Sequence, residues 1–308
     1  MSLRLAIAPG AWGIEDPLNP DNPEWGRVLD DIGKSGFGGM ELGPYGYMPT
    51  EAAVLRCELD ARSLQVVAGT IYDDLVSIEN RDALLRKTHD ICRLIAAVNN
   101  RNEKRFLVLI DAVKDLRNNT AGHSDLAVRL ELDKWKNMMV NISDISKIAM
   151  NEYGVNPVVH PHAGGFIEFR DETERFLNDI SPEVTGLCLD TGHIYYAGED
   201  PAESLLDFSG RLEYVHFKDI NPSVYKKALE QRLGFFDACN QGVMCSIGRG
   251  CVDYEAIFKV LEKLNYSEWI TIEQERDPKN YEGALDDVKL SYDFLDNTAK
   301  KSSINSIN

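Results

Sequence analysis

The sequence is short of positive charge. Against 50 Asp and Glu it has 33 Lys and Arg, a formal net charge of −17. Nucleic-acid binders neutralise phosphates with clustered Lys and Arg, and an anionic membrane surface asks for the same, so neither partner is expected. No run approaches the ~20 apolar residues needed to cross a bilayer. Cys57, Cys92, Cys188, Cys239, Cys245 and Cys251 show no CxxC spacing, and no N-terminal apolar run with a cleavage site is evident. A reduced, cytoplasmic protein with free thiols is the expectation. Linkers are missing too. With no Pro/Gly/Ser-rich break in 308 residues, one domain is expected, long enough to bury a full core.

What recurs is a short apolar run followed by an amphipathic stretch, the pattern of βα units around a parallel sheet. The runs are Leu5–Ala8, Gly38–Leu42, Leu64–Ala68, Phe106–Ile110, Asn156–His160, Thr185–Leu189, Leu212–Phe217 and Trp269–Glu273. Eight runs predict a (β/α)8 TIM barrel over about residues 4–278. Helices are predicted at Glu24–Ser35, with Asn22 as cap, and at Thr50–Arg62, Arg81–Val98, Asp133–Asn151, Asp171–Leu177, Pro201–Asp207 and Tyr254–Leu264. A C-terminal helix at 281–296 follows, then a frayed tail, 300–308. Two long connections, Ala112–Leu132 and Asn221–Arg249, are candidates for the wall of a site at the barrel mouth. The second carries Asp237 and the Phe235-Phe236 pair, placed to close over a ligand or to meet a second subunit of a homo-oligomer.

Histidine is scarce, six in all, yet four fall at strand ends in one half of the chain. Run five ends in His160-Pro161-His162, run six in Asp190-Thr191-Gly192-His193, run seven in His216-Phe217-Lys218-Asp219 and run eight in Glu273-Gln274-Glu275. Strand alternation puts His160 with His162, and Glu273 with Glu275, on one face. Imidazoles and carboxylates gathered at a barrel mouth repel or desolvate one another without a cation. A mixed N/O donor set suits manganese, cobalt, iron or zinc.

These motifs resemble the xylose-isomerase-like superfamily of sugar isomerases, epimerases and dehydratases, and within it the inosose (2-keto-myo-inositol) dehydratases. The resemblance spans Leu5 to Pro278. It rests on Ile7-Ala8-Pro9 with Trp12-Gly13, Glu41-Leu42-Gly43 with Gly46-Tyr47, the four strand-end motifs above, Phe236-Asp237-Ala238 and Glu273-Gln274-Glu275-Arg276-Asp277-Pro278. It implies one divalent metal ion, manganese or cobalt ahead of zinc, iron or magnesium, held by His160, Asp190, His216 and Glu273. Isomerases of this superfamily place a Glu where this chain has His160. The His-Pro-His run is similar to the dehydratase pattern, and it leaves open whether His160 or His162 is the ligand. Arg249 stands where the dehydratases have an acidic turn, beside the expected substrate entrance.

A cation beside a ketone acidifies the adjacent C–H, and a base and an acid then complete the reaction. Candidates for that work are Glu41, His162, His193 and Glu275. Candidates for binding substrate are Trp12, Tyr47, Lys218 and Arg249. The expected function is a metal-dependent lyase of inositol catabolism that removes water from a cyclic polyol ketone. The alternative is a ketose isomerase or epimerase on the same barrel. A silent sugar-binding barrel is disfavoured because all four ligand positions hold metal-competent residues. A multi-metal phosphodiesterase is disfavoured by the net charge and the number of ligands.

Overall fold

A computed structural model describes residues 2–99, 103–301 and 306–307. Eight parallel strands, β1 (Ser2–Ile7), β2 (Gly39–Glu41), β3 (Gln65–Asp73), β4 (Phe106–Asp111), β5 (Asn156–Val159), β6 (Gly186–Asp190), β7 (Leu212–Phe217) and β8 (Trp269–Ile272), pair in chain order. The sheet closes on itself where β1 meets β8, with Leu5 opposite Ile270. Each predicted run overlaps its strand. β3 extends past its run because Thr70 to Asp73 stay paired with Val108 to Asp111.

Helices α1 (Trp25–Ser35), α2 (Ala52–Asp60), α3 (Arg81–Val98), α4 (Leu132–Tyr153), α5 (Arg170–Asp179), α6 (Thr191–Tyr196) and α7 (Pro201–Asp207) connect the strands up to β7. α3 shows why they form where they do. Its buried Leu84, Ile91, Leu94, Ile95 and Val98 recur at helical spacing and face the sheet. Asp200 caps α7, its side chain accepting from the N–H groups of Ala202 and Glu203, with Pro201 at the first position. Asn22 is not the cap of α1. Glu24 occupies that place, and the Asn22 amide donates to the Asp16 carbonyl.

The connection after β7 is not a bare loop. It folds into α8 (Pro222–Gln231) and α9 (Phe235–Asn240), and Met244–Cys245 then pairs antiparallel with Asp219–Ile220. α10 (Tyr254–Lys263), capped by Asp253, whose side chain accepts from the Ala256 N–H, leads to β8. α11 (Ala284–Lys301) packs outside the barrel. Residues 300 and 301 belong to it, and Ser306–Ile307 pairs with Ser2–Leu3. The frayed tail is thus corrected at those positions. The rest of it lies outside the described residues.

Most of the core lies between barrel and helices. A second apolar cluster fills the lumen, including Ala6, Phe106, Val108, Val158, Cys188, Tyr214 and Trp269. Phe106 and Tyr214 stack across it at 4.4 Å. Gly39 is required there, since a Cβ would lie 2.7 Å from Val67 and 2.9 Å from Trp269. This packed floor fixes what stands above it. With a side-chain period of two, the residues two places beyond Val158, Cys188, Tyr214 and Thr271 point to the same axis one layer higher. Those residues are His160, Asp190, His216 and Glu273.

Buried acids tie down the two long connections. Arg117 is fully buried, bonded to Glu172 (2.7 Å) and Glu168 (3.1 Å) and set against the rings of Phe166 and Phe169. The Asp219 carboxylate accepts from the N–H groups of Ile220, Gly248, Gly250 and Val252 at 2.9–3.1 Å.

Candidate metal centre

His160, Asp190, His216 and Glu273 offer ligand atoms that all lie within 4.8 Å of one another. Their hydrogen bonds leave the converging atoms free. Asp190 spends Oδ1 on the His193 N–H (2.8 Å), which caps α6, and its Oδ2 has no protein partner. His216 donates from Nε2 to Glu41 Oε1 (2.9 Å), so Nδ1 keeps its lone pair toward the cluster. Both ring nitrogens of His160 are buried without a partner. Buried polar atoms are rarely left unpaired, and three neighbouring residues with this deficit, all of metal-competent type, fit a divalent cation.

The charges agree. His160 Nε2 stands 3.8 Å from Asp190 Oδ2, and His216 Nδ1 stands 3.2 Å from Glu273 Oε1. Burial opposes charge on His216, yet Cys188, Glu273 and Glu41 hold its pKa well above the usual histidine value. Burial also opposes ionisation of Glu273, but His216 and Lys218 hold its carboxyl well below the usual range. The centre is built for positive charge.

On strand five, His160 and not His162 joins the four. His162 lies one step above, its ring 3.9 Å from that of His193. The backbone of Ala163 sets both. The Ala163 carbonyl accepts from His162 Nδ1 (2.9 Å), leaving Nε2 with the lone pair. The Ala163 N–H donates to His193 Nδ1 (3.1 Å), which puts the proton of that ring on Nε2. Burial first, then neighbouring positive groups, lowers both pKa values well below the ordinary range, so both rings are neutral near pH 7. Lys218 completes this layer, its ammonium 3.0 Å from Glu275, 3.2 Å from Glu273 and 3.3 Å from His193 Nε2.

Four expectations need correction. Glu41 is not open to substrate for acid/base work. It is buried, with Oε1 taken by Tyr214 (2.7 Å) and His216 and Oε2 facing Thr70. That geometry orients His216. Trp12 does not stack on a ligand, being fully buried with its indole N–H on Asp31 (3.2 Å). Tyr47 is also interior, its hydroxyl on the Pro23 carbonyl (2.8 Å). Arg249 is exposed and pairs with Asp287 of α11 (3.3 Å).

Sequence reasoning missed Glu15, which sits in a loop with no periodic pattern to mark it. Its carboxylate lies beside Gly10, where an added Cβ would meet Oε1 at 3.0 Å. Solvent reaches Glu15 through the open mouth. Even so, the desolvating walls, then Glu275 and Glu273, push its carboxyl up to about 8, with Lys218 opposing. Phe235 closes one side of the layer, its ring 5.5 Å from His162 and 5.7 Å from His193, while Phe236 faces out.

A family model described as xylose isomerase-like TIM barrel matches residues 29–297. The chain is 26% identical over 287 residues to an inosose dehydratase of Clostridium beijerinckii, covering 90% of this chain and 91% of that one. It is 29% identical over 305 residues to the rhizopine catabolism protein MocC of Rhizobium meliloti, covering 96% and 88%. Among solved structures, the IolI protein with a bound zinc atom superposes with a TM-score of 0.73 at 14% identity, over 98% of this chain and all of that one.

Proposed function

The chain belongs to the xylose isomerase-like TIM barrel family, and from that premise we propose that it is a metal-dependent lyase that removes water from a cyclic polyol ketone of the inosose type. The relatives named inosose dehydratase support this reading, and the observation that carries it is the convergence of His160, Asp190, His216 and Glu273, with unpaired ligand atoms on the buried first three. A divalent ion held by those four residues supplies Lewis acidity to the ketone oxygen.

The remaining work falls to side chains one layer above. His162 Nε2, with its lone pair exposed, takes the proton from the carbon beside the ketone. His193 Nε2–H and the Lys218 ammonium hold substrate oxygens by donation. Glu15, beside Glu275 and Glu273, gives a proton to the departing β-hydroxyl, which leaves as water as the C–O bond breaks and the C=C bond forms. The proton on His162 returns to Glu15 through solvent. Glu275 fixes Lys218, and Phe235 supplies an apolar wall.

The test is proton NMR in heavy water with manganese-loaded protein, inosose and a panel of ketohexoses. Loss of water from inosose is expected. Deuterium entering a ketohexose beside its carbonyl, with inosose intact, overturns the lyase reading in favour of an isomerase or epimerase.

A further inference from the structure

We infer that Tyr72 is a specificity-determining residue of this site, a fixed aromatic face that receives the C–H face of a cyclic polyol and so selects ring over open chain. The inference rests on the proposed polyol reading for its ligand, and the closing experiment separates the two.

The extension of β3 creates the position. Ala68 belongs to the apolar floor, and Thr70 donates to Glu41 Oε2 (3.3 Å) in the layer above it. With a side-chain period of two, Tyr72 follows one layer higher on the same side. That is the layer of His162, and the two rings meet edge-on with centroids 5.7 Å apart.

The ring is both open and held. Tyr72 is 45% exposed, whereas Trp12 and Tyr47 are interior and Phe235, which also borders His162, is buried. Its hydroxyl oxygen accepts from the Val113 N–H (3.1 Å), which fixes the ring. Val113 is itself seated, since a Cβ on Gly164 would lie 2.9 Å from its Cγ1. Holding an aromatic side chain still costs conformational entropy, and leaving its face in water forgoes the gain of burial. A ligand laid on that face recovers the burial, and the ordering cost has already been met in the free protein.

The polar groups of this layer, His162, His193 and Lys218, read hydroxyl and ketone oxygens. None of them reads carbon. A six-membered polyol with equatorial hydroxyls turns C–H bonds toward both faces of its ring, and the face of an aromatic side chain is the complementary surface. An open-chain polyol has no lasting face to offer.

The test is calorimetric titration of manganese-loaded protein with myo-inositol, a ring without a ketone to react, and with xylitol, an open chain. The wild type should bind myo-inositol at least ~10-fold more tightly than xylitol. Tyr72→Leu should weaken myo-inositol by ~10-fold and xylitol by less than ~3-fold, with metal content unchanged. Tyr72→Phe keeps the ring and should retain most of the affinity. In turnover of inosose, Tyr72→Leu should raise KM with little change in kcat, as loss of uniform binding does. Unchanged myo-inositol affinity in Tyr72→Leu overturns the inference, as does an equal loss for both polyols. A fall in kcat at constant KM also overturns it, because Tyr72 would then act through His162. If inosose is not dehydrated but myo-inositol binding responds as expected, the lyase reading falls and the inference stands. A wild type that binds neither polyol and leaves inosose intact overturns both.

Discussion

Glu41 Oε1 on β2 lies 2.9 Å from His216 Nε2 on β7, a bond that crosses the lumen and joins opposite sides of the barrel. It fixes the tautomer and the tilt of the one imidazole whose other nitrogen faces Glu273. Outer partners of this kind raise the basicity of a ligand and hold its orientation. Glu41→Ala should therefore weaken metal binding by ~10–100-fold, read by competition with a chromophoric chelator. Normal metal affinity with turnover lowered by ~10²–10⁴ would return Glu41 to acid/base work on the substrate.

The four central side chains should hold about one divalent ion per chain, as a mononuclear site does. Glu273→Gln and Asp190→Ala should each lose most of it, measured by elemental analysis after dialysis, because an amide or a methyl is a poor replacement for a carboxylate ligand. Metal content equal to wild type in both variants would refute the ligand assignment.

His162 and His193 share the Ala163 peptide but face the substrate in opposite tautomers. His162→Ala removes a base and His193→Ala a donor, so each should lower turnover by ~10²–10⁴ with metal retained. His193→Gln retains an N–H and should recover part of the loss, whereas His162→Gln should not. Equal rescue at both positions would contradict the assignment of base and donor.

Arg117 with Glu168 and Glu172 is a buried ion triad whose removal by halves leaves uncompensated charge. Arg117→Met should destabilise the fold by ~3–5 kcal/mol in urea unfolding. A cost below ~1 kcal/mol, the range of exposed pairs, would show that the triad is solvated.

Glu168 also gives a signed pH effect. Burial pushes its carboxyl from 4.5 to about 7, against Arg117 and the N–H groups of Gly122 and Gly164. Between those two values the folded chain holds a proton that the unfolded chain has lost. The stability contributed by this group therefore falls as pH rises from about 4.5 to about 7 and levels off above. The melting temperature of the wild type minus that of Glu168→Gln should decline across that window. Parallel curves would contradict the raised value.

Periodicity made the barrel legible and the clustering of histidine its metal-competent strand ends, while the set of four central side chains was implied by the resemblance to the xylose-isomerase-like superfamily. Strand alternation depends on parity alone, and parity survives errors in the strand ends. Trp12, Tyr47 and Glu41 were misplaced for one shared reason. Lying at the end of an apolar run shows which layer a residue occupies, but not whether a partner such as Asp31, the Pro23 carbonyl or His216 has already claimed its polar atom. Ala163 escaped because it acts through its peptide, which every residue possesses. Arg249 was read as facing the entrance, and only the path of the loop around Asp219 shows that it points to α11.

The parity that places His160, Asp190, His216 and Glu273 above Val158, Cys188, Tyr214 and Thr271 separates what can change in this protein from what cannot. A residue inserted within β5, β6, β7 or β8 turns that strand's ligand outward and abolishes the seat, whatever its chemistry. A residue inserted in the segment 221–249 leaves the seat intact and alters only the shape of the vestibule. New substrate preferences are therefore reached by remodelling loops, while the four strands behave as a frame that tolerates substitution on its outer side but no change of length.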